Sequence, residues 1–240
     1  MPDALRGREI VLAGGTGGLG SSAAELLHAE GARLVISYRK DAERAERWRD
    51  HTKVVQADLA SAEGRRRLLD AAPAMYGLVV FAGNPARTTD PAQLEQALGT
   101  SWEVNLAGPI LLAREAAERM KVSGTPGAIV LLSTMQAVAL FAGSTAYAAA
   151  KAALQHAARI LAKECRGPAN IRVNVIAPGV MQAGMAEASI ASGKYDRFLK
   201  DGTIPRFGRA QDVARAVRFL LEPDNYITGQ VLSVDGGMTL

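Results

Sequence analysis

Residues 13–20 read AGGTGGLG, after the apolar run Ile10, Val11, Leu12 and before SSAAELLHAEG. Five glycines at the junction of a strand-length run and an amphipathic segment are costly, because glycine loses the most backbone freedom on folding and packs no side chain. Their position supplies a reason. A turn without Cβ atoms after a first strand lets the backbone come close to a pyrophosphate, and the helix that follows offers unpaired amides and the positive end of its dipole. The stretch predicts a nucleotide held by Gly14, Thr16, Gly17, Gly18, Leu19 and Gly20.

The same alternation of short apolar runs and amphipathic segments continues along the chain. Runs rich in Val, Ile and Leu lie at 9–13, 32–37, 53–56, 78–82, 128–132, 171–177 and 230–234. Segments of helical period separate them at 21–30, 41–50, 63–72, 110–121, 151–164 and 212–222. Near-continuous hydrophobic strands joined by helices imply a parallel sheet covered on both faces. The expectation is an α/β, doubly wound Rossmann-type fold, about seven parallel strands in a single domain over residues 1–240. The segment 181–203, with small residues and two methionines, is expected to be a mobile flap over the substrate.

Composition narrows the function. The chain has 240 residues, 48% of them hydrophobic, enough for a sizeable core. Its net charge is +4, but acids interleave with the basic residues, as in RKDAERAERWR at 39–49, so no nucleic-acid partner is expected. No run is apolar enough to span a bilayer, and MPDALRGREI lacks the core of a signal peptide, so no membrane partner and a cytoplasmic location are expected. The single Cys165 cannot form an internal disulfide. His28, His51 and His156 have no metal-ligand spacing, and no metal is expected.

Gly14, Gly18 and Gly20 are spaced as in the TGxxxGxG signature of the short-chain dehydrogenase/reductase family, with Ala13 in place of the usual threonine. The chain resembles that family along nearly its whole length. Asp58 and Leu59 in ADL resemble its adenine-contacting turn, Ala82 and Gly83 the end of its NNAG motif, and Asn105 in WEVNLAG its helix asparagine. Tyr147 and Lys151 match YxxxK, while Pro178, Gly179 and Val180 match its PG turn. The tail DNYITGQVLSVDGGM is most similar to the 3-oxoacyl-acyl carrier protein reductases. The resemblance implies a proton relay through Lys151 with a water held by Asn105, and a tetramer, or a dimer, built partly on the alanine-rich helix around 145–163. It also implies a serine 13 residues before the tyrosine, a position occupied here by Thr134, whose hydroxyl has the same donor and acceptor capacity. Three departures stand out: Val80 and Phe81 replace the asparagines of NNAG, leaving their bonds lost or supplied by Asn84, and Ala183 replaces the threonine of PGxxxT.

The chemistry also follows from the residues. Tyr147 and Lys151 are spaced i, i+4 and share a helix face, so the ammonium is expected to lower the tyrosine pKa. Tyr147 would then give a proton to a carbonyl oxygen as hydride arrives from nicotinamide. Ser37, Tyr38, Arg39 and Lys40 end the second strand without an acid, so Arg39 is expected to pair with a 2′-phosphate beside Ser37, and NADP is expected over NAD. Together these features predict an NADP(H)-dependent reductase of a ketone or a 3-oxoacyl thioester, returning or consuming a secondary alcohol. Arg119, Lys121, Arg166 and Arg172 are candidate contacts for an acidic carrier protein. The competing expectation is a nucleotide-binding regulator on the same scaffold without turnover.

Overall fold

The computed structural model describes residues 4–240. Seven strands, β1 (Glu9–Ala13), β2 (Arg33–Tyr38), β3 (Lys53–Gln56), β4 (Met75–Val80), β5 (Gly127–Leu132), β6 (Ile171–Pro178) and β7 (Val231–Val234), form one sheet in the order β3-β2-β1-β4-β5-β6-β7. Every pairing is parallel. The chain winds outward from β1 to β3, crosses back to β4 and winds the other way. The crevice beyond the carboxyl ends of β1 and β4 is thus the topological switch point, where ligands of such sheets bind.

The strands read as continuous apolar runs because both faces are covered. Along β1, Ile10 and Leu12 enter one core while Val11 and Ala13 enter the other, and along β5 Val130 and Leu131 divide in the same way. Helices α1 (Gly18–Ala29) and α9 (Ala210–Leu221) cover the first face. Helices α3 (Ala62–Asp70), α5 (Gly108–Val122) and α6 (Thr145–Glu164) cover the second.

Several boundaries differ from the sequence expectation. Helix α2 (Ala42–Glu46) starts where the Asp41 carboxylate accepts the Arg44 N–H at 3.0 Å, but stops well short of residue 50. Helix α4 (Leu94–Ser101) was not expected, and the helical segment implied for Asn105 is a π-helical turn, Trp102–Ala107. Strand β4 begins at Met75 and ends at Val80, leaving Phe81 to Gly83 as the rim of the crevice. The expected flap carries a 3-10 turn (Gly184–Ala186) and two short helices, α7 (Glu187–Ala191) and α8 (Arg197–Lys200). Its Tyr195, with Ile204 and Phe207 just beyond, packs on Met135, Val180 and Met238 as a small satellite core.

Candidate active site

One cleft of about 590 Å³ runs along the carboxyl ends of the strands. It is lined by Gly14, Thr16, Gly17, Gly18, Leu19, Gly20, Ser37, Arg39, Asp58, Leu59, Ala82, Gly83, Thr134, Tyr147, Lys151, Pro178, Gly179 and Val180, so these sequence-predicted residues are brought together. Asn105 is not in the lining.

The glycines divide by role. Gly14 has φ +78°, and a Cβ there would come 3.1 Å from Ala82 N. A Cβ at Gly20 would lie 2.7 Å from Gly14 O, and one at Gly15 would lie 2.8 Å from Leu12 Cβ. These three serve the turn and the packing of helix on strand. A Cβ at Gly17 would only touch Gly14 O, at 3.5 Å, while Gly18 faces the flap, where a Cβ would come 2.8 Å from Gly184 N. Helix α1 has Gly17 as its N-cap, no side-chain cap and no acid in its first turn. Its leading amides therefore have no intrahelical partner and no capping one, and the residues fit a dinucleotide pyrophosphate.

At the adenine end, Ser37 is spent on the turn, its Oγ accepting the Gly14 N–H at 3.1 Å. Arg39 makes no side-chain hydrogen bond or ion pair among the described residues. Arg44, which sequence reasoning missed, also lines the cleft and pairs with Asp41 at 3.2 Å. Its signal was available: one helical turn past the strand end, it follows an N-cap aspartate that orients it.

At the other end, Thr134 follows β5 in extended conformation, and its Oγ1 accepts the Gln136 N–H at 3.3 Å. Its hydroxyl is close enough to Tyr147 to favour the ionised tyrosine. Burial outweighs this and raises the Tyr147 pKa, with Thr134 and the Arg87 charge opposing. Lys151 is not among the groups acting on Tyr147, contrary to the sequence expectation. Its Nζ donates instead to Leu132 O at 2.7 Å, and burial lowers its pKa to about 7. Neighbouring Ser133 faces α6: its Oγ donates to Lys151 O at 3.0 Å and accepts from Gln155 Nε2 at 3.0 Å.

Asn105 sits fully buried behind the cleft in the π turn. Its Oδ1 accepts the Asn84 N–H at 2.8 Å, while Nδ2 donates to Asn84 O and Ser101 Oγ, each at 2.8 Å. The side chain is committed to holding the loop after β4 against α4. Asn84 does not replace the bridging amides lost at Val80 and Phe81, since its Oδ1 accepts the Ala86 N–H instead. Gly179 is fixed by its N–H, which donates to Val234 O at 3.0 Å. Ala183 is nearly buried and offers no hydroxyl. Two further lining residues, Arg87 and Gln136, were not expected, while Met185 comes from the expected flap. Among the described residues no group of three or more His, Cys, Asp or Glu side chains is placed to hold a metal ion.

A family model described as enoyl-(acyl carrier protein) reductase matches residues 13–239. Carbonyl reductase family member 4 of Danio rerio is 34% identical over 97% of this chain and 98% of its own. An NADPH-dependent aldehyde reductase-like chloroplastic protein of Arabidopsis thaliana is 31% identical over 98% of this chain and 96% of its own. Among solved structures, a 7 alpha-hydroxysteroid dehydrogenase complexed with NADH and 7-oxo glycochenodeoxycholic acid superposes with a TM-score of 0.89 at 26% identity, over 98% of this chain and 96% of that one. With the glycine turn, the Tyr147 and Lys151 pair and the sheet order, these matches place the chain in the short-chain dehydrogenase/reductase family of oxidoreductases.

Proposed function

We propose that the protein is an NADP(H)-dependent oxidoreductase that interconverts a small carbonyl compound and its secondary alcohol. The observation that carries this reading is the presence, in one cleft, of an uncapped glycine-rich helix start and the Thr134, Tyr147 and Lys151 side chains. The dinucleotide, when bound, supplies or accepts the hydride. The first-turn amides of α1 receive its pyrophosphate, and Arg39 with Arg44 receives the 2′-phosphate. Tyr147 keeps its proton at neutral pH because burial raises its pKa, so it can donate to a carbonyl oxygen. Thr134 donates to the same oxygen as negative charge develops there. Lys151, held near 7 by burial, exchanges its proton close to neutrality.

NADP is supported by the absence of an acid at the end of β2 and by the printed name of the Arabidopsis relative. A carrier-bound substrate has less support. Arg172 is buried, donating to Leu220 O and Glu222 O, while Arg119 pairs with Asp70 and Lys121 with Glu118. A small ketone is the favoured substrate. We also propose a homotetramer in the cytoplasm; no helix among the described residues is long and apolar enough to cross a membrane. The test is NADPH and NADH absorbance with a panel of ketones and aldehydes. Turnover that Tyr147→Phe abolishes supports the reading, whereas tight NADPH binding without reduction of any carbonyl supports a nucleotide-binding regulator.

A further inference from the structure

The catalytic end of the cleft is walled largely by apolar side chains such as Met135, Met181 and Tyr195, yet two polar groups reach it that hydride and proton transfer do not use. Gln136 is 6% exposed, and its Oε1 accepts the Ser144 hydroxyl at 2.6 Å. That bond fixes the amide, whose nitrogen makes no hydrogen bond among the described residues, and the Gln136 backbone N–H is tied to the Thr134 hydroxyl. Arg87 is exposed in the loop after β4, and its side chain makes no hydrogen bond or ion pair among the described residues. Most arginines near an acid on this surface are paired, as Arg66, Arg114 and Arg206 are.

The loop presenting Arg87 is held in place. Ala86 has φ +39°, its N–H donating to Asn84 Oδ1 at 2.9 Å, and the Thr88 N–H donates to Gly143 O at 3.2 Å. A left-handed alanine is strained and persists where its surroundings fix it, which is frequent at binding sites. Two acids line the cleft. Asp58 belongs to the adenine end, and the Glu187 carboxylate already accepts the Gly184 N–H at 2.8 Å.

Resting on the oxidoreductase reading, we propose that the substrate is an oxo acid, a carbonyl compound whose carboxylate is held by the Arg87 guanidinium and the Gln136 amide. The fork of arginine matches the two oxygens of a carboxylate, and the Gln136 amide supplies a further donor in the same cleft. A dianionic phosphate would find a single exposed cation there.

The test compares pyruvate, acetoacetate and levulinate with their methyl esters, using NADPH. At least one acid is expected to exceed its ester in kcat/KM by about ten-fold or more, the scale of one charge-assisted contact. Arg87→Gln is expected to remove most of that preference by raising KM for the acid, and Arg87→Lys to restore part of it. Equal reduction of every acid and its ester, or a preference that survives Arg87→Gln, overturns the oxo-acid proposal and leaves the oxidoreductase reading intact. If no carbonyl is reduced, that reading fails instead, and calorimetry of the three acids with NADPH-loaded protein decides the anion site separately. Binding lost in Arg87→Gln upholds the site, and no binding overturns it.

Discussion

The Ser133 hydroxyl is spent on α6, while that of Thr134 is turned toward Tyr147 and the Gln136 amide. Thr134→Val, which keeps the shape and removes the hydroxyl, should lower kcat by about 10²-fold, while Thr134→Ser should retain most of it. Ser133→Ala should cost about 1 kcal/mol of stability, read from the urea midpoint, with little change in kcat. Arg39→Asp should invert cofactor preference, weakening NADPH about ten-fold or more while NADH binding holds or improves; equal losses for both would point to a damaged fold. A further effect concerns Lys151. Its pKa falls from 10.5 to about 7 on folding, so below about 7 both folded and unfolded forms are protonated and the burial cost is fully present. Between about 7 and 10.5 the unfolded lysine binds a proton the folded one has released, and stability should rise with pH across that window. Urea midpoints of wild type and Lys151→Met, compared at neutral and alkaline pH, should show this rise in the wild type alone.

At the scale of elements, Asp212 fastens the start of α9. Its carboxylate accepts from Arg206 at 2.7 Å and from the Arg209 N–H at 2.8 Å, and these bonds hold its pKa down to about 2. The stabilisation is present above the ordinary aspartate pKa and is lost as pH falls through about 2. Asp212→Ala should cost about 1–2 kcal/mol at neutral pH, with the difference from wild type shrinking in acid. The strands and long helices were legible because each has one period, two for a strand and 3.6 for a helix, set against a buried face. Helix α4 was not, since Leu98 and Trp102 are exposed and the π turn breaks the register before α5. The flap helices hide among alanines, serines and glycines that carry no periodic contrast. Thr134 and Tyr147 could be found because the family resemblance carries a fixed spacing of hydroxyl and tyrosine onto these positions. Arg87 and Gln136 could not, because a loop's sequence does not say which way its side chains face, and the left-handed Ala86 that aims Arg87 leaves no compositional mark.

For the molecule as a whole, Leu98, Trp102, Leu111 and Ile160 lie exposed on α4, the π turn, α5 and α6, and the exposed Ala149 with the part-exposed Ala148 and Ala152 adds small residues to the surface of α6. Closed symmetric assemblies commonly bury such surfaces. Light scattering at micromolar concentration should report an oligomer, and a monomer there would refute the proposal. The Pro178–Gly179 rim has a different dependence on the rest of the chain. Gly179 is pinned by Val234, and a Cβ on it would come 2.7 Å from Asp235 Cα, so this edge of the cleft rests on residues of the last strand and the turn after it. Translation delivers those residues after β1 through β6. A nascent chain released after Leu221 would carry β1 through β6, with nearly all of the sheet, but no support beneath Gly179. Chain growth thus separates the moment when most of the sheet can form from the moment when this edge of the cleft gains its support.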